Sequence, residues 1–342
     1  MGDLYSRYIQ LARETGKLAG LSFELTNYCN FNCTHCYRIH GSSFLSEEIF
    51  HKALHEAEEL GVIFVSFNGG EPTWHPKFVE FALAVLQRGM HLSVLTNGSG
   101  LTDSMLDALS AWKGIHFQFS IYGYDTSTGA KITGTPDAFD KALQKIFILQ
   151  QRGFDLRVSL LALNETADGL DALVALLLRS NIKIGLMPLL SAREDGDRTP
   201  IHFAAGDRQL EQLLKYEGIW SEDVLEPIAN NLDDPGRTSA CSAAQSSLGI
   251  SVGGDIMPCQ VLSRVHFGNI TNNTLNASLN SDVRKSFLEA NVIPPACGAC
   301  KIFSTCFRCP GEAVFETGSL TGIPPESCRI ARLRSKMRVD SH

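Results

Sequence analysis

The chain has 342 residues, with 30 Lys or Arg, 37 Asp or Glu and a formal net charge of −7. Apolar residues make up 44% and charged residues 20%, a composition typical of a soluble globular protein with one large domain and a smaller one. The acidic balance argues against nucleic acid as a partner. No apolar stretch approaches the about 18 residues that a membrane span needs, so we expect no membrane partner.

The N-terminal segment 1–20 reads as a helical extension and contains no apolar core of a secretory signal peptide. We therefore expect a cytoplasmic protein. The chain contains ten cysteines, and a reducing compartment keeps such thiols from pairing. Metal ligation or catalysis is then a better explanation for them than structural disulfides.

From residue 21 to residue 187, strand-like and helix-like segments alternate. The predicted strands cover residues 21–26, 62–67, 91–96, 115–120, 155–162 and 182–187. The predicted helices cover residues 47–60, 77–88, 103–112, 137–152 and 167–179. This alternation predicts an α/β fold with a parallel sheet, either open or curled into a barrel. In both forms ligands lie at the carboxyl ends of the strands.

Beyond the sixth strand the segment 195–200 is polar and rich in turn residues, and a helix is predicted at 207–214. We place a domain boundary near residue 230, which gives a main domain at 21–230. The remaining residues 231–342 are rich in Gly, Pro, Asn and Cys. This composition predicts a small domain that is held together by metal rather than by a large core.

Three cysteines, Cys29, Cys33 and Cys36, follow the first predicted strand with the spacing C-x3-C-x2-C. Such a set could hold zinc, with His35 or His40 as a fourth ligand. It could instead bind three irons of a [4Fe–4S] cube and leave the fourth iron open to a ligand.

Two motifs carry a resemblance to a known family. The C-x3-C-x2-C spacing followed by the aromatic Tyr37 resembles the signature of the radical SAM superfamily. The turn after the second strand resembles the GGEP motif of that family; its residues are Gly69, Gly70, Glu71 and Pro72. The resemblance implies a partial (β/α)6 TIM-like barrel, a [4Fe–4S] cluster on the three cysteines, and binding of the methionyl amine of S-adenosylmethionine (SAM) at the glycine turn.

The resemblance also implies further cofactor contacts. Thr96 and Ser120, which end the third and fourth strands, match positions that contact SAM in relatives, and Asn164 is a candidate for its ribose. Relatives carry an Arg-Gly pair, whose guanidinium binds the SAM carboxylate, where this chain has Thr133-Gly134. We expect Lys131, Thr133, or Ser120 with backbone donors to take over that role.

Seven cysteines in the last third of the chain resemble a SPASM domain, which holds two auxiliary [4Fe–4S] clusters. By the family's assignment, the outer cluster would take Cys297, Cys300, Cys306 and Cys328, and the inner cluster Cys241, Cys259 and Cys309. The inner cluster would then have an open or non-cysteine site, for which Asp255 or the substrate is a candidate. Two residues separate Cys306 from Cys309, where the family usually has three. Structural zinc sites are the alternative for this cysteine set.

The resemblance implies a mechanism. Reduction of SAM at the first cluster gives methionine and a 5′-deoxyadenosyl radical, which takes a hydrogen from the substrate. Auxiliary clusters then accept an electron. Relatives with this extension mostly modify peptides, so we expect a crosslink or a dehydrogenation in a ribosomally made peptide. About twenty residues precede the first strand, so the peptide would need a separate leader-peptide recognition protein or direct docking. A flavodoxin- or ferredoxin-type reductant is the expected electron source.

Three other functions stay open from the sequence. The first is oxidation of a small molecule, for example of a tetrapyrrole side chain, which only a substrate assay can distinguish from peptide modification. A peptide epimerase needs a free thiol, whereas the assignment above uses all ten cysteines. A non-catalytic electron carrier or zinc-stabilised binding protein is disfavoured by the intact glycine turn and cysteine triad.

Overall fold

The computed structural model describes residues 2–166, 169–216, 241 and 243–340. Its strands are β1 Gly20–Thr26, β2 Phe64–Gly69, β3 His91–Thr96, β4 Ile115–Ile121, β5 Asp155–Leu161, β6 Lys183–Met187, β7 Ser247–Ile250 and β8 Ile256–Met257. Its first eight helices are α1 Gly2–Glu14, α2 Glu47–Glu59, α3 Phe78–Gln87, α4 Asp103–Leu109, α5 Thr126–Thr133, α6 Ala138–Gln151, α7 Leu170–Arg179 and α8 Asp207–Leu214. The C-terminal helices are α9 Leu275–Leu279, α10 Asp282–Ala290, α11 Pro295–Gly298, α12 Pro310–Thr317 and α13 Pro325–Asp340.

The described strands form one eight-stranded sheet in the order β6-β5-β4-β3-β2-β1-β7-β8. The first six strands pair in parallel with their neighbours in chain order. Helices between successive strands make the crossovers that parallel pairing requires. The predicted α/β fold and all six predicted strands are therefore confirmed, with ends that shift by at most two residues.

Local sequence signals explain where the helices begin. The Ser46 hydroxyl accepts the N–H of Ile49 at 3.2 Å and caps α2. Helix α5 was not predicted, although its capping box is visible in the sequence. The Asp125 carboxylate accepts the N–H of Thr128 at 2.8 Å, and Gly134 ends the helix with φ of 67°.

The two faces of the sheet differ in polarity. Phe23 and Phe67 lie on the helix side, where Phe50 of α2 packs on both rings at centroid distances of 5.0 and 5.9 Å. The opposite face carries polar side chains, and the Asn68 amide donates to the Ser22 hydroxyl at 2.6 Å. A parallel sheet covered on both faces has apolar residues throughout its strands. The alternation seen here leaves a polar interior available for a ligand.

The C-terminal region contributes to this same sheet. β7 pairs in parallel with β1, and β8 pairs antiparallel with β7. Leu248 and Ile250 of β7 are almost fully buried in the main core. The cysteine-rich region therefore shares the main core, and the expectation that metal holds it stays a prediction. The boundary predicted near residue 230 lies outside the described residues, as do the first two residues of the helix predicted at 167–179, and the boundary stays a prediction.

The ends of the chain pack onto the barrel. Tyr8 of α1 donates its hydroxyl to the carbonyl of Gly61 at 2.8 Å. In α13, Arg329 pairs with Asp207 of α8 at 2.6 Å. No helix of the described residues is long and apolar enough to cross a membrane.

His75, at the start of the segment before α3, is buried with both ring nitrogens bonded. Nε2 lies 2.9 Å from the carbonyl oxygen of Leu45, and Nδ1 accepts the N–H of Lys77 at 3.1 Å. A neutral ring with its proton on Nε2 satisfies both contacts. Burial lowers the pKa of His75, so the folded state favours the neutral form.

Candidate active site

The three N-terminal cysteines lie in the loop that follows β1, at the carboxyl edge of the sheet. The end of α5 holds this loop in place. The N–H groups of Asn32 and Thr34 donate to the carbonyls of Thr133 and Ile132 at 2.9 and 3.0 Å. The prediction that the triad follows the first strand at the ligand-binding edge is thus met by the geometry.

All three thiols are free and partly buried. Burial raises the pKa of Cys29 to about 12, and Glu71 and Cys36 add to that shift. Burial also raises the pKa of Cys33, where Cys36 and Cys29 contribute in turn. These mutual effects show that the three sulfurs lie near one another. Buried thiols that stay unpaired fit metal ligands, which give up their protons when the metal binds.

Three thiolates in one loop suit two kinds of metal site. They could hold tetrahedral zinc together with a fourth ligand. They could instead bind three irons of a [4Fe–4S] cube and leave the fourth iron open.

The glycine turn packs against the cysteine loop. The N–H groups of Gly70 and Glu71 donate to the carbonyls of Thr26 and Tyr28 at 2.7 and 2.8 Å. A Cβ on Gly70 would lie 2.1 Å from the Tyr28 oxygen, and Gly69 has φ of 133°. The two glycines therefore let the backbone of this turn pack closely against the backbone of the cysteine loop. Pro72 follows as the buried first residue of a short 3-10 helix.

Glu71 lies inside the protein with 1% of its surface exposed. Its Oε1 accepts the hydroxyls of Thr73 and Thr96, each at 2.5 Å, and the N–H of Thr73 at 3.1 Å. Its Oε2 accepts the N–H of Asn97 at 2.6 Å. Burial raises the pKa of Glu71, and the four donated hydrogen bonds oppose that shift. Glu71 thus joins the loops after β2 and β3, and Thr96 acts together with it.

The other predicted cofactor residues lie along the same edge. Ser120 is on the polar face of β4 and hydrogen-bonds the Tyr122 hydroxyl. Asn164 is exposed after β5, and its N–H donates to the carbonyl of Phe203 at 2.9 Å. Tyr37 is half-buried. Loss of solvation raises its pKa most, and the thiols of Cys36 and Cys259 raise it further. Tyr37 therefore lies between the N-terminal triad and a C-terminal cysteine.

The side chains proposed for the missing arginine already have partners. The Thr133 hydroxyl is buried and donates to the carbonyl of Gly129 at 2.8 Å. The Lys131 ammonium pairs with Glu165 at 2.8 Å and is 68% exposed. Which of Lys131, Thr133, or Ser120 with backbone donors takes the role of the arginine stays a prediction.

A buried ion-pair network was missed from the sequence. Arg38 pairs with Glu24 of β1 and, at 3.2 Å, with Glu194 of the loop after β6. Its guanidinium also donates to the carbonyl of Gln260 at 3.4 Å, next to Cys259. The available signal was Glu24, a charged residue inside a strand whose other face is apolar. The network ties the triad loop to the C-terminal region.

A cavity of about 490 Å3 opens beside the triad. It is lined by Cys33, Cys36 and His40 on one side and by Arg193 and Asp195 of the loop after β6 on the other. Arg193 pairs with Asp195 at 2.8 Å. The cavity provides access from solvent to the thiols, as a substrate site requires.

The seven C-terminal cysteines form no disulfide and fall into two groups. Cys297, Cys300, Cys306 and Cys328 act electrostatically on one another. Cys241, Cys259 and Cys309 do the same. We call these the outer set and the inner set. The assignment of one cluster to each set stays a prediction.

Asp255 and Glu312 differ as partners for the inner set. The Asp255 carboxylate stays in the turn between β7 and β8, where Ser251 and Asn269 donate to it at 3.1 and 2.9 Å. Glu312 begins α12, three residues after Cys309, and is 2% exposed. Its Oε1 accepts the Ser191 hydroxyl, and its Oε2 has no partner among the described residues. Glu312 acts electrostatically on Cys309, so it is a second candidate, beside Asp255, for the open site of the inner set.

These features define an iron–sulfur protein with one cysteine triad in a barrel mouth and two further cysteine sets beside it. The family model described as the radical SAM superfamily matches residues 23–177. The SPASM model, described as an iron–sulfur cluster-binding domain, matches residues 241–310. The chain therefore contains a radical SAM domain followed by a SPASM iron–sulfur domain, and these domains support an enzyme that uses SAM and [4Fe–4S] clusters.

Named relatives agree with this assignment. The PqqA peptide cyclase of Ruegeria pomeroyi is 30% identical over 157 residues, which cover 45% of this chain and 42% of that protein. The mycofactocin maturase MftC of Mycobacterium tuberculosis is 26% identical over 322 residues, which cover 90% of this chain and 82% of that protein. In the first match the chain thus spans less than half of its relative's length.

Solved structures share the fold. SuiB of Streptococcus suis, bound to its precursor peptide SuiA, has a TM-score of 0.72 at 16% identity and covers 94% of this chain and 79% of SuiB. The anSMEcpe structure with bound AdoMet and a Cp18Cys peptide has a TM-score of 0.73 at 18% identity and covers 95% and 98%. At such low identity the likeness concerns the fold alone.

Proposed function

We propose that this protein is a peptide maturase that uses SAM and three [4Fe–4S] clusters to crosslink or dehydrogenate a residue of a ribosomally made peptide. The carrying observation is the cysteine triad, which forms no disulfide, lies at the carboxyl edge of the sheet and is joined to the glycine turn. The relatives named peptide cyclase and mycofactocin maturase support a peptide as the substrate.

Each part of the site has a role in this proposal. Cys29, Cys33 and Cys36 hold the cluster that, with SAM bound, supplies a 5′-deoxyadenosyl radical able to remove a substrate hydrogen. The bonds between Glu71 and the loops after β2 and β3 fix the SAM pocket beside these cysteines. The cavity beside Cys33 admits the peptide residue to the reacting centre.

Two auxiliary clusters account for the seven remaining cysteines. A cube held wholly by cysteine takes four thiolates, so the outer set completes one and the inner set leaves one iron without a cysteine. We propose that the Glu312 carboxylate binds that iron. Support comes from its burial, its unpartnered Oε2 and its proximity to Cys309. Substrate binding at the open iron is the competing possibility.

Further partners follow from the chemistry. Each turnover needs an electron at the triad cluster, for which we propose a flavodoxin- or ferredoxin-type reductant. A separate recognition protein would present the leader segment of the peptide. A cytoplasmic location is proposed because reducing conditions keep the ten thiols available for iron.

The proposal is tested with the anaerobically reconstituted enzyme, SAM and dithionite, together with the peptide encoded by a small reading frame beside the gene. We expect 5′-deoxyadenosine and a peptide that has lost two hydrogens, both detected by mass spectrometry. A variant with Cys29, Cys33 and Cys36 all changed to Ala should give neither product. Failure of the wild-type enzyme to form 5′-deoxyadenosine, with peptide and recognition protein present, would contradict the proposal.

The role of Glu312 has its own test. Glu312→Ala should change the Mössbauer parameters and the EPR signal of one auxiliary cluster, whereas Asp255→Ala should leave both signals unchanged. Glu316→Ala, one helical turn farther along α12, is the matched control because it removes a second partly buried carboxylate. An unaltered spectrum for Glu312→Ala, or an equal change for Glu316→Ala, argues that another ligand completes the inner cluster.

A further inference from the structure

Arg308 lies in the two-residue segment between Cys306 of the outer set and Cys309 of the inner set. Its side chain is buried, with 6% of the residue exposed. Nη2 donates to the carbonyls of Leu320 and, at 2.8 Å, Gly322. Nε and Nη1 are buried without a hydrogen-bond partner among the described residues. The guanidinium thus keeps unused donors in the interior of the protein.

Among the described residues, Arg308 forms no salt bridge with a carboxylate. A buried cation is stable only with an anionic partner or strong hydrogen bonds. The thiols of four cysteines are the main charges that act on its guanidinium. Two of these, Cys297 and Cys306, belong to the outer set, and the other two, Cys241 and Cys309, belong to the inner set. The cation therefore lies between the two sets.

A guanidinium at this position suits iron–sulfur clusters. A cube ligated by thiolates carries net negative charge, and hydrogen bonds to its sulfur atoms together with nearby charge set its reduction potential. Arginine offers five N–H donors in a fixed fork and stays charged. The shortened spacing between Cys306 and Cys309 places that fork between the two cysteine sets.

We propose that Arg308 tunes both auxiliary clusters: its Nε–H and Nη1–H groups donate to cluster sulfur atoms, and its charge stabilises the reduced form of each cluster. Arg308 then raises both reduction potentials and makes the clusters better acceptors of the electron that leaves the substrate. This inference rests on the proposed function, because it requires both auxiliary clusters. In this role Arg308 is a positioning residue that acts through the clusters.

The test is an EPR-monitored potentiometric titration of the reconstituted holoenzyme. Arg308→Met removes charge and donors. We expect the reduction potentials of both auxiliary clusters to fall. At a fixed potential the ratio of reduced to oxidised cluster should decrease at least tenfold, which corresponds to about 59 mV for one electron. Arg308→Lys keeps the charge but not the fork and should shift both potentials by less. The triad cluster should keep its potential in every variant.

Arg332→Met is the matched control. Arg332 is exposed and acts electrostatically on Cys328 of the outer set, so its loss should shift the outer potential slightly and the inner potential not at all. Arg308→Gln covers the case in which Arg308→Met fails to assemble, because Gln retains N–H donors without charge.

The outcomes separate the two proposals. A wild-type enzyme that does not assemble two auxiliary clusters, by iron content and EPR, contradicts the proposed function itself. If Arg308→Lys and Arg308→Gln assemble both auxiliary clusters with unchanged reduction potentials, the tuning role of Arg308 is overturned, whereas the proposed function is not. Loss of an auxiliary cluster in all Arg308 variants, Lys included, also overturns it, since Arg308 would then serve assembly rather than potential.

Discussion

Replacement of Glu71 tests whether this residue holds the site together or only contacts SAM. In Glu71→Gln, the amide oxygen can stand at the Oε1 position and keep its three donors, but the amide nitrogen then faces the N–H of Asn97. One buried N–H without an acceptor costs about 1–3 kcal/mol. In Glu71→Ala, the N–H groups of both Thr73 and Asn97 lose their acceptor, which raises the cost to about 2–6 kcal/mol.

The assay is urea denaturation of the reconstituted protein under anaerobic conditions, with SAM affinity measured on the same samples. We expect the free energy of unfolding to decrease from wild type to Gln to Ala, with SAM affinity falling in the same order. Glu59→Gln, which neutralises an exposed carboxylate on α2, should match the wild type. If Glu71→Gln loses SAM affinity at full stability, Glu71 contacts the cofactor and the four hydrogen bonds are not what matters.

Three further outcomes are expected. Gly70→Ala should displace the triad loop and lower the iron content, because the new Cβ would lie 2.1 Å from a backbone oxygen. Gly114→Ala is the control, since its Cβ would lie 3.5 Å from the nearest atom. Equal iron content in both variants would contradict this account. Arg38→Met should cost about 3–5 kcal/mol by leaving two buried carboxylates unpaired, and unchanged urea stability would show that the network is not buried. Folding lowers the pKa of His75, so as the pH falls below about 6.5 the imidazole is protonated in the unfolded chain before it is protonated in the folded one. The free energy of unfolding should therefore decrease below that pH. In His75→Gln it should decrease less steeply over the same range.

Much of the fold was predictable from the pattern of residues. β3 and α8 have the predicted ends, because β-branched and polar residues change abruptly at those positions. β7 and β8 were missed, since four-residue and two-residue strands leave too short a pattern to recognise. The pairing of β7 with β1 also crosses more than two hundred residues. Helix α5 was missed even though the Asp125 cap is local, because its apolar face is short.

The candidate site was predictable to a different degree for each kind of residue. The cysteines are rare, closely spaced and chemically specific, so their positions alone indicated metal. Arg38, Glu194 and Glu312 gave no such signal. Charged residues usually lie at the surface, and only the folded chain shows that these three are buried beside the cysteines.

The sequence by itself determined the ligand chemistry: ten cysteines divided as three and seven, a glycine turn after the second strand, and alternating elements that build a parallel sheet. These properties depend on residue type and on short spacing. The tertiary structure decided that the Asp255 carboxylate is held by Ser251 and Asn269, that Glu312 is buried near Cys309, and that Arg308 is buried near cysteines of both sets. The reason is physical: burial and charge proximity arise between residues that are far apart in sequence, and they exist only once the sheet and its loops have brought those residues together.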